Sequence, residues 1–322
     1  MGVSADEVVT RLAKWAWVFP GQGSQYVGMG KDLAEAYPVA RETFATADSV
    51  LGFDLTSICF AGPEEKLKET RYTQLAILTH DVAVSRVLGA RADAPGLVAG
   101  HSVGEYAALV AGGALGFEDA LHLVRTRAEA MYASGLRRPG GMAALVGMPD
   151  GSLDVLLDEA RKAGTIAAAN YNSPVQVVVS GDAPAIAKVV EIAPSVGAKR
   201  AIRLKVSGAF HSPLMEDARR ELAEAIAGVD FSAPRIPVVS NVTAKSVTDP
   251  GEIARLLELQ LVSPVMWQQS VGLMEKEGVV GAVECGPGEI LCGLGRRISP
   301  GLRWVACSDP RTIEAFLAEV QS

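Results

Sequence analysis

The residues best suited to chemistry lie in one short stretch, residues 98–113, which reads VAGHSVGEYAALVAGG. Ser102 has a glycine two positions before it and another two positions after it, Gly100 and Gly104, and these allow a strand to turn sharply into a helix. The serine hydroxyl is then exposed at the helix N-terminus, as in a nucleophile elbow. The same residues also fit an alternative, a glycine-rich strand-to-helix connection in which the serine caps the helix. The pattern favours a nucleophilic Ser102 over that alternative.

A serine nucleophile needs a base within hydrogen-bonding reach, and the sequence offers His80, His101, His122 and His211. His80 and His122 lie inside predicted helices, and His101 adjoins the serine, where alternation directs its side chain elsewhere. His211 lies in a loop over 207–213 that follows a predicted strand, a common place for catalytic groups. We therefore expect His211 to be the base. No Asp or Glu between the two residues is convincingly placed at a strand end, so a main-chain carbonyl is the expected partner of the imidazole.

Arg127 is out of place on a predicted helix over 118–133. The residues three and four positions away are all apolar, namely Leu123, Val124, Ala130 and Met131. The arginine therefore projects from the stripe that faces the core, where a guanidinium needs an anion. An internal carboxylate or a snorkelling side chain would satisfy it. A ligand carboxylate bound through two parallel hydrogen bonds would do so equally, and spacing alone leaves both interpretations open.

Two glycine-containing loops follow predicted strands. The loop over 20–25, PGQGSQ, comes directly after the apolar strand 15–19, so its backbone amides could approach a ligand oxyanion, or it could be an ordinary βα turn. The second loop, Gly286-Pro287-Gly288, lacks the third glycine and the following βαβ unit of a dinucleotide-binding fingerprint. We therefore expect no nucleotide cofactor at that loop.

Composition limits the class of protein. With 322 residues and a net charge of −7, the chain can bury a large core and has no basic stripe for nucleic acid. Its apolar runs are shorter than the roughly 20 residues that span a bilayer, and residues 1–15 lack the apolar segment of a secretory signal. The four cysteines show neither CxxC spacing nor clustered histidines, which argues against disulfides and zinc. We expect a cytoplasmic protein, and a monomer, without membrane segments.

The order of predicted elements indicates an α/β protein in two parts. Between residues 142 and 206 the patterns follow the order βαββαβ, which is the split βαβ, ferredoxin-like unit. We expect this subdomain to occupy 139–206, inserted into a catalytic core that comprises 15–138 and 207–322. Residues 1–14 are predicted to form a helical extension outside both parts.

Taken together, five motifs resemble the malonyl-CoA:acyl carrier protein transacylases, a family that includes the acyltransferase domains of polyketide synthases. The motifs are GQGSQ at 21–25, GHSVGE at 100–105, Arg127, NYNSP at 170–174 and GAFH at 208–211. They stand in order and at suitable spacing, and the resemblance runs from about residue 15 to the last helix. It implies an α/β-hydrolase-like core with a parallel sheet plus a ferredoxin-like subdomain, in agreement with the order of the elements.

The resemblance also implies roles for individual residues. Ser102 would be the nucleophile and His211 its base. The backbone amides of Gln22 and Val103 would form the oxyanion hole. Arg127 would hold the malonyl carboxylate.

Two further expectations come from the resemblance. A backbone carbonyl within 263–267, SPVMW, would orient the histidine, although Met266 stands where relatives often have Gln or Arg. Phe210, beside the histidine, would crowd the acyl α-carbon and favour malonyl over α-branched groups.

The implied reaction is transfer of a malonyl group from malonyl-CoA to the phosphopantetheine thiol of an acyl carrier protein, through a malonyl-serine, in fatty-acid or polyketide synthesis. It needs no metal or redox cofactor. A serine hydrolase acting on an ester or thioester would share Ser102 and His211, with water as the acceptor. A non-catalytic module that docks a carrier protein is a third hypothesis. Arg127 on an apolar stripe favours the transferase, because a plain esterase has no use for it.

Overall fold

Two β-sheets organise the chain in the computed structural model, which describes residues 14–206 and 208–321. The strands are β1 (Trp15–Phe19), β2 (Leu97–Gly100), β3 (Gly140–Val146), β4 (Ile166–Ser173), β5 (Gln176–Asp182), β6 (Arg200–Arg203), β7 (Val238–Val239), β8 (Ser246–Val247), β9 (Gly281–Cys285) and β10 (Arg303–Cys307). The larger sheet has the strand order β10-β9-β1-β2-β7-β8, and the smaller sheet has the order β4-β5-β3-β6.

The α-helices of the described residues pack on both faces of the larger sheet and on one face of the smaller sheet. They are α1 (Lys31–Ala36), α2 (Pro38–Leu51), α3 (Leu55–Ala61), α4 (Glu64–Leu67), α5 (Thr70–Gly89), α6 (Gly104–Gly112), α7 (Phe117–Arg137), α8 (Ser152–Arg161), α9 (Ala183–Ile192), α10 (Glu216–Ile226), α11 (Pro250–Leu259), α12 (Trp267–Lys276), α13 (Ile290–Ile298) and α14 (Pro310–Gln321). None of these helices combines the length and apolar character needed to cross a membrane. The predicted N-terminal helix lies outside the described residues, except for Lys14.

The larger sheet is parallel except at one edge. Strands β10, β9, β1, β2 and β7 run in the same direction, and only β8 pairs antiparallel. Strand β1 is buried along its whole length because helices cover both faces of the sheet. Its side chains alternate between two cores, with Trp15, Trp17 and Phe19 in one and Ala16 and Val18 in the other. The carboxyl ends of neighbouring strands therefore meet at one edge, where open α/β sheets place their sites.

The smaller sheet is antiparallel and follows the element order β3-α8-β4-β5-α9-β6, which is the order expected from the sequence. Its two helices cover one face, where Leu145 and Val179 belong to a separate small core. On the opposite face, Met142 and Val178 join the main core beside the larger sheet. This packing brings the second face of the smaller sheet against the carboxyl edge of the larger one, and a cleft lies between them.

Candidate active site

Ser102 lies in a strained turn between β2 and α6. Its φ is 54°, in the left-handed region that a non-glycine residue rarely adopts. The flanking glycines serve a different purpose, because they allow close approach of the backbone. A Cβ on Gly100 would collide with the backbone of Gly104, and a Cβ on Gly104 would collide with the carbonyl oxygen of Phe19. The elbow expected from the sequence is therefore present, and its strain falls on the serine itself.

The structure brings Ser102 and His211 together. Ser102 Oγ lies 2.7 Å from His211 Nε2, although 109 positions separate the two residues. His211 Nδ1 donates to the backbone carbonyl of Gln260 at 2.9 Å, which leaves Nε2 free to accept a proton from the serine. The main-chain partner was expected, but the resemblance implied a carbonyl within 263–267. The carbonyl that holds the ring precedes that segment.

His211 is almost completely buried, with 4% of its surface exposed. Burial, together with the smaller effect of the positive charge of Arg127, lowers the pKa of His211 to about 3. The hydrogen bond to the Gln260 carbonyl acts in the opposite direction, with a smaller effect from the Ser263 backbone. The imidazole is therefore neutral at physiological pH, which is the form that can accept a proton from Ser102.

Arg127 projects into the same site from α7 and is 1% exposed. Its Nη2 donates to Ser102 Oγ at 2.9 Å and to Gln260 Oε1 at 3.0 Å, and its Nη1 donates to Gln74 Oε1. Within the described residues it forms no ion pair with an Asp or Glu, so the interpretation of an internal salt bridge is wrong. Burial lowers the pKa of Arg127, yet a guanidinium remains charged at neutral pH. Its hydrogen bonds to described residues thus go to neutral oxygens, its guanidinium lies 5.8 Å from the centre of the Tyr106 ring, and Glu105 acts on it through space. A buried cation with such partners can accept an anionic ligand.

The residues expected to bind the oxyanion lie beside Ser102. Strands β1 and β2 pair in parallel with Phe19 opposite Gly100, so the loops that follow them, with Gln22 and Val103, run side by side. Both residues line the cleft together with Ser102. Neither backbone N–H donates to an acceptor within residues 14–206 or 208–321. Two free amides next to the Ser102 hydroxyl can stabilise negative charge on an oxygen.

Three buried polar residues that sequence reasoning missed support this arrangement. Asn241 accepts from the Ser102 N–H at 2.7 Å and donates to the Gly100 carbonyl at 2.5 Å. Gln260 donates from Nε2 to the Ser102 carbonyl at 3.0 Å and to Glu105 Oε2 at 2.6 Å. Burial raises the pKa of Glu105 to about 7. Glu105 lies in the GHSVGE motif, which was a usable signal, whereas nothing in the local sequence distinguishes Asn241 or Gln260.

The site opens into a cavity of about 220 Å³ between the two sheets. Ser102, His211 and Arg127 line it together with apolar side chains that include Met142 and Phe210. Phe210 is 5% exposed and directly precedes His211 in the chain. The described residues contain no group of three or more His, Cys, Asp or Glu side chains placed to hold a metal ion.

Comparison with known proteins places this site in a family. Residues 16–288 match the family described as acyl transferase domain. The chain is 42% identical to the malonyl CoA-acyl carrier protein transacylase of Bacillus subtilis strain 168 over 304 residues, which cover 94% of this chain and 96% of that protein.

Solved structures agree with the sequence match. A crystal structure of an acyl carrier protein S-malonyltransferase from Vibrio cholerae has a TM-score of 0.91 and 42% identity, covering 94% of this chain and 99% of that one. A structure described as a type II polyketide synthase acyl-carrier protein in complex with its malonyl-transacylase also has a TM-score of 0.91, at 39% identity, covering 95% and 99% of the two chains. The chain therefore belongs to the acyltransferase family that contains the malonyl CoA-acyl carrier protein transacylases.

Proposed function

We propose that this protein transfers a malonyl group from malonyl-CoA to the phosphopantetheine thiol of an acyl carrier protein, in fatty-acid or polyketide synthesis. One observation carries the proposal: Ser102 Oγ lies 2.7 Å from His211 Nε2 and 2.9 Å from Arg127 Nη2. A nucleophile, its base and a cation without an acidic partner thus meet at one oxygen. The names of the relatives supply the substrates, since they are malonyl CoA-acyl carrier protein transacylases.

In the first half of the reaction, His211 Nε2 takes the proton of Ser102 as Oγ attacks the thioester carbonyl of malonyl-CoA. The tetrahedral oxyanion accepts hydrogen bonds from the amides of Gln22 and Val103, each worth about 10²–10³ in rate by analogy with other oxyanion holes. The C–S bond then breaks, and His211 returns its proton to the CoA thiolate. Malonyl remains as an ester on Ser102.

In the second half, the thiol of the carrier protein enters in place of CoA. His211 takes the thiol proton as the sulfur attacks the malonyl ester, and the same two amides hold the oxyanion. Ser102 leaves as its alkoxide and regains a proton from His211, so the enzyme returns to its starting state. Acid–base catalysis and amide donors supply every step, and we propose that no metal or redox cofactor takes part.

Arg127 and Phe210 select the acyl group in this proposal. The planar guanidinium can hold the malonyl carboxylate in two parallel hydrogen bonds, which contributes about 1.5–3 kcal/mol in favour of a carboxylated substrate. Phe210 lines the cavity beside the base, where it fills the space that an α-methyl group would need. A malonyl group has a carboxylate and no α-branch, so it satisfies both residues.

The proposal includes a finer description of the fold and of the setting. We propose that the larger sheet and its helices, residues 15–138 and 207–322, are an α/β-hydrolase-like catalytic core, and that residues 139–206 are a ferredoxin-like subdomain. The strand order β4-β5-β3-β6 and its antiparallel pairing support the second assignment. The site is complete within one chain, which supports a monomer. All four cysteines are free and buried, as is typical of a reducing cytoplasm.

The mass of the intact protein tests this function. After mixing with malonyl-CoA, the wild-type protein should gain one malonyl group, and Ser102→Ala should gain none. Adding a carrier protein that bears phosphopantetheine should remove the adduct and place malonyl on the carrier. A serine hydrolase would instead release CoA continuously without any acceptor thiol. A docking module would form no adduct and release no CoA.

A further inference from the structure

The side chain of Asn241 bridges the two sides of the elbow. Its Oδ1 accepts from the N–H of Ser102 at 2.7 Å, and its Nδ2 donates to the carbonyl of Gly100 at 2.5 Å. One planar carboxamide therefore holds a backbone donor and a backbone acceptor on either side of His101. Asn241 comes from the carboxyl end of β7, 139 positions from the serine, so this contact depends on the tertiary structure.

The elbow needs such a contact because Ser102 is held in an unfavourable conformation. Its φ of 54° costs on the order of 1–3 kcal/mol and persists only where surrounding contacts enforce it. The Ser102 carbonyl accepts from Gln260 Nε2 at 3.0 Å, which holds the other side of the residue. The N–H is held by Asn241. This acceptor opposes rotation of the peptide before Ser102, and that peptide determines where Oγ lies relative to His211.

Asn241 is itself firmly placed and is 1% exposed. Its N–H donates to Glu105 Oε1 at 3.3 Å, and its carbonyl accepts from the Met266 N–H at 2.9 Å. The other oxygen of Glu105 accepts from Gln260, whose carbonyl orients His211. One buried carboxylate thus connects the residue that holds the nucleophile with the residue that holds the base.

We propose that Asn241 is a positioning residue for Ser102: its carboxamide locks the elbow in the conformation that keeps the nucleophile within reach of His211. Asn241 makes no contact with the reacting atoms and acts through the backbone of Ser102. This inference rests on the proposed acyl transfer. It predicts a loss in the rate of acylation without a corresponding loss of substrate binding.

The first experiment compares Asn241→Ala with Ser240→Ala. Ser240 is the preceding residue and is 3% exposed, and its hydroxyl accepts from the Val242 N–H at 3.2 Å, whereas the side chain of Asn241 is bonded to Gly100 and Ser102. Rapid mixing with malonyl-CoA, followed by intact mass, gives the rate constant for Ser102 acylation per folded molecule. Asn241→Ala should lower the maximal rate constant about 100-fold, the effect of a misplacement of about 1 Å, and leave half-saturation nearly unchanged. Equal rate constants in the two variants would overturn the proposal, as would a change confined to half-saturation.

A second variant keeps the test valid if Asn241→Ala does not fold. In Asn241→Asp, one carboxylate oxygen can accept from Ser102, but the other faces the Gly100 carbonyl without a proton to donate. A protonated carboxyl restores both hydrogen bonds, and burial should raise the pKa of the introduced acid into the measurable range. The acylation rate of Asn241→Asp, divided by that of wild type at the same pH, should therefore rise as the pH is lowered from about 8 to about 5.5.

Other ionisable groups lie around this position in both proteins: Glu105 on α6 accepts from the Asn241 N–H, Arg127 on α7 and His211 contact Ser102, and His101 precedes Ser102. Dividing by wild type removes the part of their titration that the two proteins share, and what remains comes from the introduced carboxyl and its coupling with these groups. A ratio that stays constant or falls with decreasing pH would contradict the proposal. Acylation of the wild-type protein distinguishes a failure of the proposed function from a failure of the positioning role. If the wild-type protein forms no malonyl adduct, the proposed function is wrong, whereas normal acylation in wild type and in both Asn241 variants contradicts only the positioning role.

Discussion

Arg127 donates to the hydroxyl of Ser102, with Nη2 lying 2.9 Å from the same Oγ that faces His211 Nε2 at 2.7 Å. One buried cation therefore contacts the Ser102 hydroxyl directly and acts on His211 through space, because its charge lowers the pKa of His211. This relationship gives Arg127 two separable consequences, one for the choice of substrate and one for the pH dependence of the reaction.

Replacing Arg127 should remove the preference for a carboxylated acyl group. In Arg127→Ala, the ratio of kcat/KM for malonyl-CoA to that for acetyl-CoA should fall about 10- to 100-fold, since the lost charge-assisted contact contributes about 1.5–3 kcal/mol. Arg125→Ala is the matched control, because Arg125 lies on the same helix but is solvent-facing and paired with Glu129. A variant of Arg127 that keeps the full malonyl preference would assign selectivity to another residue.

The pH below which the acylation rate falls should depend on Arg127. Burial and the nearby guanidinium together lower the pKa of His211 to about 3, so wild type should retain a neutral base well below pH 6. In Arg127→Gln the charge is lost, the pKa of His211 rises, and the rate should begin to fall at a higher pH than in wild type. The measurement is single-turnover acylation with acetyl-CoA, which has no carboxylate to bind. If the acylation rate of Arg127→Gln begins to fall at the same pH as that of wild type, or at a lower pH, this electrostatic coupling is contradicted.

Shortening Phe210 should admit branched acyl groups. Phe210 lines the cavity next to His211, and Phe210→Ala opens space there without removing a hydrogen bond. We expect the kcat/KM for methylmalonyl-CoA, relative to that for malonyl-CoA, to rise by about 10-fold or more. In an apolar pocket, one methyl group changes the free energy of substrate discrimination by about 1–3 kcal/mol. If wild type already uses both substrates equally, Phe210 does not exclude the branch.

Adding one methyl group at Gly104 should disrupt the elbow. The new Cβ would meet the carbonyl oxygens of Phe19 and Pro20 in rigid backbone, so Gly104→Ala should lose acylation and at least about 1–3 kcal/mol in the free energy of unfolding. The matched control is Gly272→Ala in α12, where an added Cβ has no neighbour within 4 Å. That change should leave activity intact and raise stability by about 0.5–1 kcal/mol. Urea denaturation and adduct formation together distinguish the two, and a fully active Gly104→Ala would show that the close approach is dispensable.

His80 should make the protein less stable in acid. The side chain is fully buried, and burial lowers the pKa of His80 from 6.5 to about 4. The unfolded chain therefore binds more protons than the folded one in this range, so the stability present above pH 6.5 is lost as the pH falls towards 4. Between about pH 7 and about pH 4.5, the titration of His80 should lower the free energy of unfolding by roughly 2–3 kcal/mol.

The variant His80→Phe tests this linkage. Its free energy of unfolding, measured with urea, should fall by roughly 2–3 kcal/mol less than that of wild type over the same pH interval. The comparison concerns the slope with pH, so any constant effect of repacking cancels. The same slope in both proteins would show that His80 is not kept neutral by the fold.

Local patterns in the sequence were sufficient for the parts of the site that are themselves local. The spacing of Gly100, Ser102 and Gly104 describes a turn within five residues, and the apolar neighbours of Arg127 describe one face of one helix. The order βαββαβ also follows from periodicity along the chain, and the structure has that order. Each of these inferences depends on residues a few positions apart, where backbone geometry decides which side chains are neighbours.

The contacts that hold the site together depended on the tertiary structure. Gln260 and Asn241 reach the elbow from 158 and 139 positions away, because the strand order of the larger sheet places the end of β7 beside β2 and the packing of the following segment places Gln260 above it. In the sequence both are ordinary polar residues near the end of an element. The same separation in sequence explains why the expected segment, 263–267, did not include Gln260, whose carbonyl accepts from His211 Nδ1, although the Ser263 backbone within that segment has a smaller effect on the ring. Local sequence patterns therefore identify the residues that can react. The tertiary structure decides which distant backbone and side-chain groups come within hydrogen-bonding distance of them and hold them in place.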